Sequence, residues 1–201
     1  MKPSAERHVL PDLLRPGLTL VFCGTAAGER SAREGAYYAH PGNLFWRALC
    51  EAGITPRRFA PAEFSILPGL GIGLTDLAKR HSGNDADLPR DAFDVPALLA
   101  KIERYRPRLL AFTSKAAARA ALGRPVSAYG EQTERIGRTR VFVLPSPSGQ
   151  ARRHWDIGPW RELARRMREG IARACLANGK HREHACGPQG RTLLAPGPPR
   201  R

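Results

Sequence analysis

Two stretches hold residues whose types could do chemistry together. Residues 24–46 read GTAAGERSAREGAYYAHPGNLFW, and residues 144–153 read LPSPSGQARR. The first offers small residues, Thr25, Ala26, Ala27 and Gly28, beside which a ligand can approach the backbone closely. It also carries an aromatic pair, Tyr37 and Tyr38, an imidazole, His40, and a carboxamide, Asn43. The second offers Pro147-Ser148-Gly149, a tight turn whose backbone N–H groups suit a phosphate, followed by Gln150, Arg152 and Arg153. A stacking face, a carboxamide and a phosphate clamp together suit an extruded nucleotide. Asp76, within GIGLTDL, adds a carboxylate that could orient water.

The elements that must position these groups follow from hydrophobic patterning. Leu18–Cys23 is a continuous apolar run that ends at Gly24, the signature of a buried parallel strand. Further strands are predicted at 71–77, 108–113 and 139–144. Gly28 to Pro41 reads as a long loop. Asn43–Ala52 has helical spacing and stops at Gly53. Phe93–Tyr105 is amphipathic and stops before Pro107, and Ser114 is a plausible N-cap for Lys115–Leu122. A last helix starts near Asp156 and runs from about Pro159 to about Ala177. Strands alternating with helices predict an α/β three-layer sandwich around a four- or five-stranded, mainly parallel sheet. Ligands of such sheets sit beyond the carboxyl ends of the strands. Here those ends are 24–26, Thr75-Asp76, Thr113-Ser114 and Pro145-Ser146. The expected organisation is a lead-in over 1–16, one domain over 17–178 and a disordered basic tail over 179–201.

The 201 residues suffice for one such domain, and the 42% hydrophobic fraction fits a globular core. The formal net charge is +15, from 33 Lys+Arg against 18 Asp+Glu. That balance attracts phosphate backbones and releases counterions on binding. Cys23, Cys50, Cys175 and Cys186 show no metal-ligand or disulfide spacing, so a reducing, cytoplasmic compartment is expected. No metal or organic cofactor is expected, no segment has the length of a membrane span, and the chain is expected to act as a monomer.

The same residues carry a resemblance. Ala39-His40-Pro41 with Asn43, Phe45 and Trp46, then Pro147-Ser148-Gly149, and Gly24 with Gly28 before them, resemble the mismatch-specific branch of the uracil-DNA glycosylase superfamily, which includes thymine-DNA glycosylase. The resemblance runs from about Leu18 to Met167. It implies a monofunctional DNA-repair glycosylase that flips uracil, or another deaminated or mismatched base, out of double-stranded or single-stranded DNA and hydrolyses its bond to the sugar. One departure matters. The branch reads G-I-N-P-G after its first strand, and its catalytic Asn falls here on Ala26, a methyl group. Its Asn before Pro-Ser-Gly falls on Ser146, and its wedge position on Gln150.

Three residues could take over the water. Asn43 follows the aromatic loop, and a hypoxanthine-acting branch of the superfamily that also lacks the first-motif residue favours it. Asp76 is expected at the end of the second strand, and His40 is a third candidate. Thr25, Ala26, Ala27, Gly28, Tyr38 and His40 would line the base pocket. Ser146, Ser148, Gly149, Gln150, Arg152 and Arg153 would meet the DNA. Each has a plainer reading: Asn43 as a helix N-cap, Asp76 paired with Lys79 or Arg80, His40 and Tyr38 as structural residues, and the arginines as a solvated face. No Lys stands where a Schiff base would form, so lyase activity is not expected. A damage-binding protein without activity, favoured by Ala26, and a nucleotide or nucleoside hydrolase on a similar sheet are the rival readings.

Overall fold

A computed structural model describes residues 8–89 and 91–180. Five strands form one sheet: β1 (Leu20–Ala27), β2 (Ile72–Ser82), β3 (Leu109–Phe112), β4 (Gly130–Ile136) and β5 (Thr139–Val143). Their spatial order is β2-β1-β3-β5-β4. All neighbours pair in parallel except β4, which runs antiparallel to β5. The fold is thus the expected α/β sandwich. Among the described residues the α-helices are α1 (Glu29–Glu34), α2 (Phe45–Glu51), α3 (Val95–Tyr105), α4 (Lys115–Leu122) and α5 (Gly158–Lys180).

Strand alternation sorts the core into two layers. Leu20 and Phe22 of β1 face one way with Phe45, Ala48 and Leu49 of α2 and Trp160, Leu163 and Ala164 of α5. Val21 and Cys23 face the other way with Leu98 and Ile102 of α3 and Ala117 and Ala118 of α4. Both faces of β1 are covered, which is why its sequence is an unbroken apolar run.

Several boundaries differ from expectation. β1 does not stop at Gly24 but continues to Ala27, because Gly24 and Ala26 pair with Asp76 and Ala78 of an equally long β2. Asp76 therefore lies inside β2 and not at its end. The expected loop from Gly28 holds the single-turn-plus helix α1, which Gly35 closes in the left-handed conformation at φ 63°. Helix α2 begins at Phe45 and not at Asn43, and α3 begins at Val95. β4 was not expected: its sequence GEQTERI is mostly polar, as suits an edge strand with one solvated side. A 3-10 helix over Pro61–Leu70 was also not expected. Ser114 caps α4 as expected, its hydroxyl accepting from Ala117 N at 3.0 Å.

The residues ahead of β1 are not a loose lead-in where they are described. Val9 N donates to Lys79 O at 2.7 Å and Leu13 N to Leu74 O at 2.9 Å, laying this segment along the free edge of β2. Leu10 is only 1% exposed. Asp12 arrives with it and pairs with Lys79 at 3.0 Å and Lys101 at 2.7 Å. Burial alone would raise the Asp12 carboxyl, but Lys79, Lys101 and the Thr75 hydroxyl together hold it below its usual value. Helix α5 runs to Lys180, so the tail expected from 179 lies outside the described residues from 181 onward. Among the described residues, no helix is long and apolar enough to cross a membrane.

Candidate active site

The two motif stretches meet. Leu44 N donates to Pro147 O at 2.8 Å. A methyl group on Gly149 would lie 3.3 Å from Gly42 O, and one on Gly42 would lie 3.5 Å from the Arg152 guanidinium. The loop after β2 joins them: Gly83 N donates to Ala27 O at 2.9 Å, and Gln150 Nε2 donates to Asn84 Oδ1 at 3.1 Å. The Thr25 hydroxyl donates to Asp85. All of this lies at the carboxyl ends of the parallel strands.

Tyr38 is the residue most clearly held for a purpose. Its backbone is left-handed, with φ 54°, a conformation that costs a non-glycine residue about 1–3 kcal/mol and persists only where neighbours impose it. The neighbours are identifiable. Trp46 Nε1 donates to Tyr37 O at 3.0 Å, and Ala39 N donates to the Ser31 hydroxyl at 3.0 Å. The Tyr38 ring stacks on Phe45 at 3.8 Å with planes 17° apart, and its hydroxyl lies 3.4 Å from Thr113 Oγ1 at the top of β3. Tyr37 does not share this position. It is buried, donates to Pro11 O at 3.2 Å and accepts from Lys79 Nζ at 3.0 Å. Of the two tyrosines only Tyr38 is partly exposed at this end of the sheet, where the two motif loops and the loop after β2 border the candidate cleft.

Asp76 reaches the same place from β2. A methyl group on Gly24 would sit 2.5 Å from Asp76 Oδ1 and 3.4 Å from the Tyr38 hydroxyl. The glycine thus makes room for a carboxylate that crosses over β1. Asp76 is 5% exposed. Its carboxylate takes no side-chain hydrogen bond among the described residues, since Lys79 is spent on Asp12 and Tyr37. Burial pushes its pKa up to about 6, against the pull of Lys79 and with the push of Asp12. The Tyr38 phenol is raised as well, first by burial and then by the Asp76 charge, and stays a neutral donor. A buried carboxylate without a partner, poised to exchange a proton near neutrality, is the arrangement expected of a general base.

The other expected residues are placed as follows. Asn43 Oδ1 accepts from Phe45 N at 2.9 Å, which occupies its oxygen at the entry to α2 and leaves its N–H donors available. His40 is exposed, and its Nδ1 accepts from Gly42 N at 3.0 Å, a turn-forming role. Ala26 is half-buried beside Ala78, and its methyl offers no polar group where the resemblance expects one. Gly28 is exposed with open space where a side chain would project. Ser146 Oγ accepts from Ser148 N at 3.3 Å, and Ser148 Oγ from Gln150 N at 3.4 Å. These bonds start a 3-10 helix over Gly149–His154, which the sequence did not announce. It sets Gln150, Arg152 and Arg153 on the surface beside the cleft. Phe45, Thr113, Asn84 and Asp85 were missed as site residues. Nothing local marks Asn84 and Asp85, whereas Thr113 stands at an expected strand end and Phe45 sits seven positions after Tyr38 in the same motif. Among the described residues, no three His, Cys, Asp or Glu side chains gather as a metal set.

Comparison with known proteins bears on family and fold. Residues 11–166 match the family described as the Uracil DNA glycosylase superfamily. The fold is similar to the solution NMR structure of a protein from Methanosarcina acetivorans provisionally assigned as a uracil DNA glycosylase, with a TM-score of 0.55 and 23% identity. That likeness covers 81% of this chain and 98% of the other.

Proposed function

The chain belongs to the uracil DNA glycosylase superfamily, and on that premise we propose that it is a monofunctional DNA glycosylase of the mismatch-specific branch, excising uracil or another deaminated or mismatched base. One observation carries the reading: the Asp76 carboxylate and the Tyr38 hydroxyl converge over Gly24, beside the Pro-Ser-Gly turn.

Breaking the N-glycosidic bond builds positive charge on the sugar and negative charge on the departing base. Electrostatic attraction to the basic surface brings DNA in, and flipping the nucleotide costs a few kcal/mol, least at a mismatch. Tyr38, backed by Phe45, presents a ring against which the base would stack. The Asn43 carboxamide N–H groups and backbone donors around Thr25–Gly28 would donate to the base oxygens and stabilise the negative charge developing there. Asp76 would hold a water, take its proton as the oxygen bonds to the sugar carbon, and so complete the hydrolysis. Its pKa of about 6 leaves it mostly ionised at neutral pH, as that role requires. Gln150 would enter the gap in the duplex, and Arg152 and Arg153 would grip phosphates on either side.

A side-by-side panel of uracil, thymine-mismatch, hypoxanthine and xanthine duplexes, cleaved by alkali after incubation, tests this. Uracil opposite guanine is expected to give abasic sites at a rate that Asp76→Asn lowers by about 10²–10⁴-fold. Ala26, where the resemblance expects a catalytic amide, favours the second reading, a damage-binding protein without activity. Retained mismatch-dependent binding with no alkali-labile sites on any duplex would establish that reading in place of the first.

A further inference from the structure

We propose that an arginine-lined cavity at the amino-terminal end of the sheet is a second anion site, built for a phosphate group and separate from the cleft described above. The cavity has a volume of about 370 Å³, and its wall includes Thr19, Arg106, Arg108, Arg138, Arg140 and Arg166. Parallel topology brings these residues together. Thr19 precedes β1, Arg108 precedes β3, Arg138 precedes β5, Arg106 follows α3, and α5 passes close enough to add Arg166. The cleft lies at the other end of the same strands. The four steps of β1 from Leu20 to Gly24 separate that end of the sheet from the Asp76 carboxylate by about 13 Å at the usual rise of a strand.

The cations are only partly neutralised. Glu131 holds Arg140 through two bonds of 2.6 Å and lies 3.5 Å from Arg166 Nε. That Nε–H is buried and has no hydrogen-bond acceptor, although the Arg166 guanidinium also pairs with Glu162 at 3.6 Å and Glu169 at 3.5 Å. Arg106 donates only to a carbonyl, Glu103 O, at 3.2 Å. Arg108 and Arg138 are exposed and form no side-chain hydrogen bond or ion pair among the described residues. Arg106 also holds a left-handed backbone, φ 48°, at a helix end where glycine is the usual occupant. Three guanidinium groups without a carboxylate partner among the described residues thus share the wall of one open cavity. A phosphate answers all of them, since the planar guanidinium fork matches its oxygens and its charge offsets theirs. The phosphate could come from a phosphodiester of a second nucleic-acid segment or from a free phosphate-bearing molecule, and the chemistry at the cavity is the same.

The test compares the wild-type chain with Arg108→Ala/Arg138→Ala and with Arg152→Ala/Arg153→Ala, using inorganic pyrophosphate as the probe in titration calorimetry and in NMR of the arginine Nε–H signals. Saturable binding is expected in the wild type, at least tenfold weaker in the first variant and retained in the second. Because Arg108 and Arg138 are exposed and unpaired, the first variant should melt as the wild type does and excise uracil from a short duplex at the same rate. Competition then identifies the source. Displacement of pyrophosphate by undamaged duplex assigns the site to a phosphodiester, and persistence of pyrophosphate assigns it to a free phosphate. No saturable binding, equal binding by the first variant, or loss in the second variant instead would overturn the proposal. Absence of excision on every damaged duplex would remove the glycosylase reading and leave this site untouched.

Discussion

Replacing Asp76 by asparagine perturbs both the proposed chemistry and the stability of the chain, in opposite directions. Burial moves this carboxyl from its ordinary 3.8 to about 6. Ionising it in the folded state therefore costs about 3 kcal/mol more than in the unfolded chain. The folded state holds the Asp76 proton more tightly than the unfolded state does. Its contribution favours folding below the unfolded value of 3.8, is withdrawn as the pH rises through about 6, and is a full penalty at neutral pH. A neutral amide of the same shape escapes that penalty but keeps a buried polar group, so a net gain of about 1–3 kcal/mol is expected at pH 7.5. For a domain of this size that is an upward shift of about 2–12 °C in Tm. The gain should vanish near pH 4. Excision should move the other way. The wild-type single-turnover rate should rise with pH through about 6, while D76N should be slower by about 10²–10⁴-fold and flat over the same range. Denaturant melts at pH 4 and 7.5, with single-turnover excision from pH 4.5 to 8, measure both arms. An active D76N, or one destabilised at pH 7.5, would refute the reasoning.

Three further perturbations probe the same cleft. Gly24→Ala places a methyl 2.5 Å from Asp76 Oδ1; it should fold with a loss of about 1–3 kcal/mol and excise no faster than D76N, and wild-type excision by this variant would place the catalytic group elsewhere. Asn43→Ala should lose about 1 kcal/mol of stability with its helix-entry bond, together with excision rate, whereas Asn43→Asp keeps the accepting oxygen and should lose rate alone. If both variants excise normally, Asn43 serves only the helix. Arg152→Ala and Arg153→Ala should each lower the slope of log affinity against log salt by about 1, equally for damaged and undamaged duplex; an unchanged slope means the 3-10 helix does not touch the backbone.

The sheet was legible where burial on both faces produced apolar runs, as at Leu20–Cys23 and Val141–Val143. It was not legible where strands carry polar or small residues for other reasons. β1 continues through Gly24-Thr25-Ala26 and β2 through Asp76–Ser82 because each is the other's partner, and pairing leaves no periodic trace. Helix α1 is too short for its spacing to stand out, and β4 faces solvent with charged residues. Within the site, Tyr38, Asn43 and Asp76 could be named from residue type and motif. Their relation could not, since the convergence of Asp76 and Tyr38 over Gly24 depends on the register of two strands fifty residues apart. A structural use of Asn43 was visible as an alternative, but Leu44 holds the N-cap of α2, and Asn43 accepts from Phe45 N from one position before it. The pairing of Tyr38 with Phe45 needed the left-handed turn at Tyr38, which no local preference of tyrosine suggests.

The short segment from Val9 to Leu13 acts as a zipper on an otherwise open margin of the sheet. An unzipped β2 would show a row of unsatisfied amides and carbonyls to any extended chain nearby, including another copy of this protein. The same segment fastens Asp12 between two lysines, so peeling it away would strip Lys79 of its counter-charge and leave that ammonium facing Asp76. A trimmed form starting at Leu18 is thus expected to self-associate and to hold its cleft carboxylate at a lower pKa, tying colloidal behaviour and acid–base tuning to one strip of five residues.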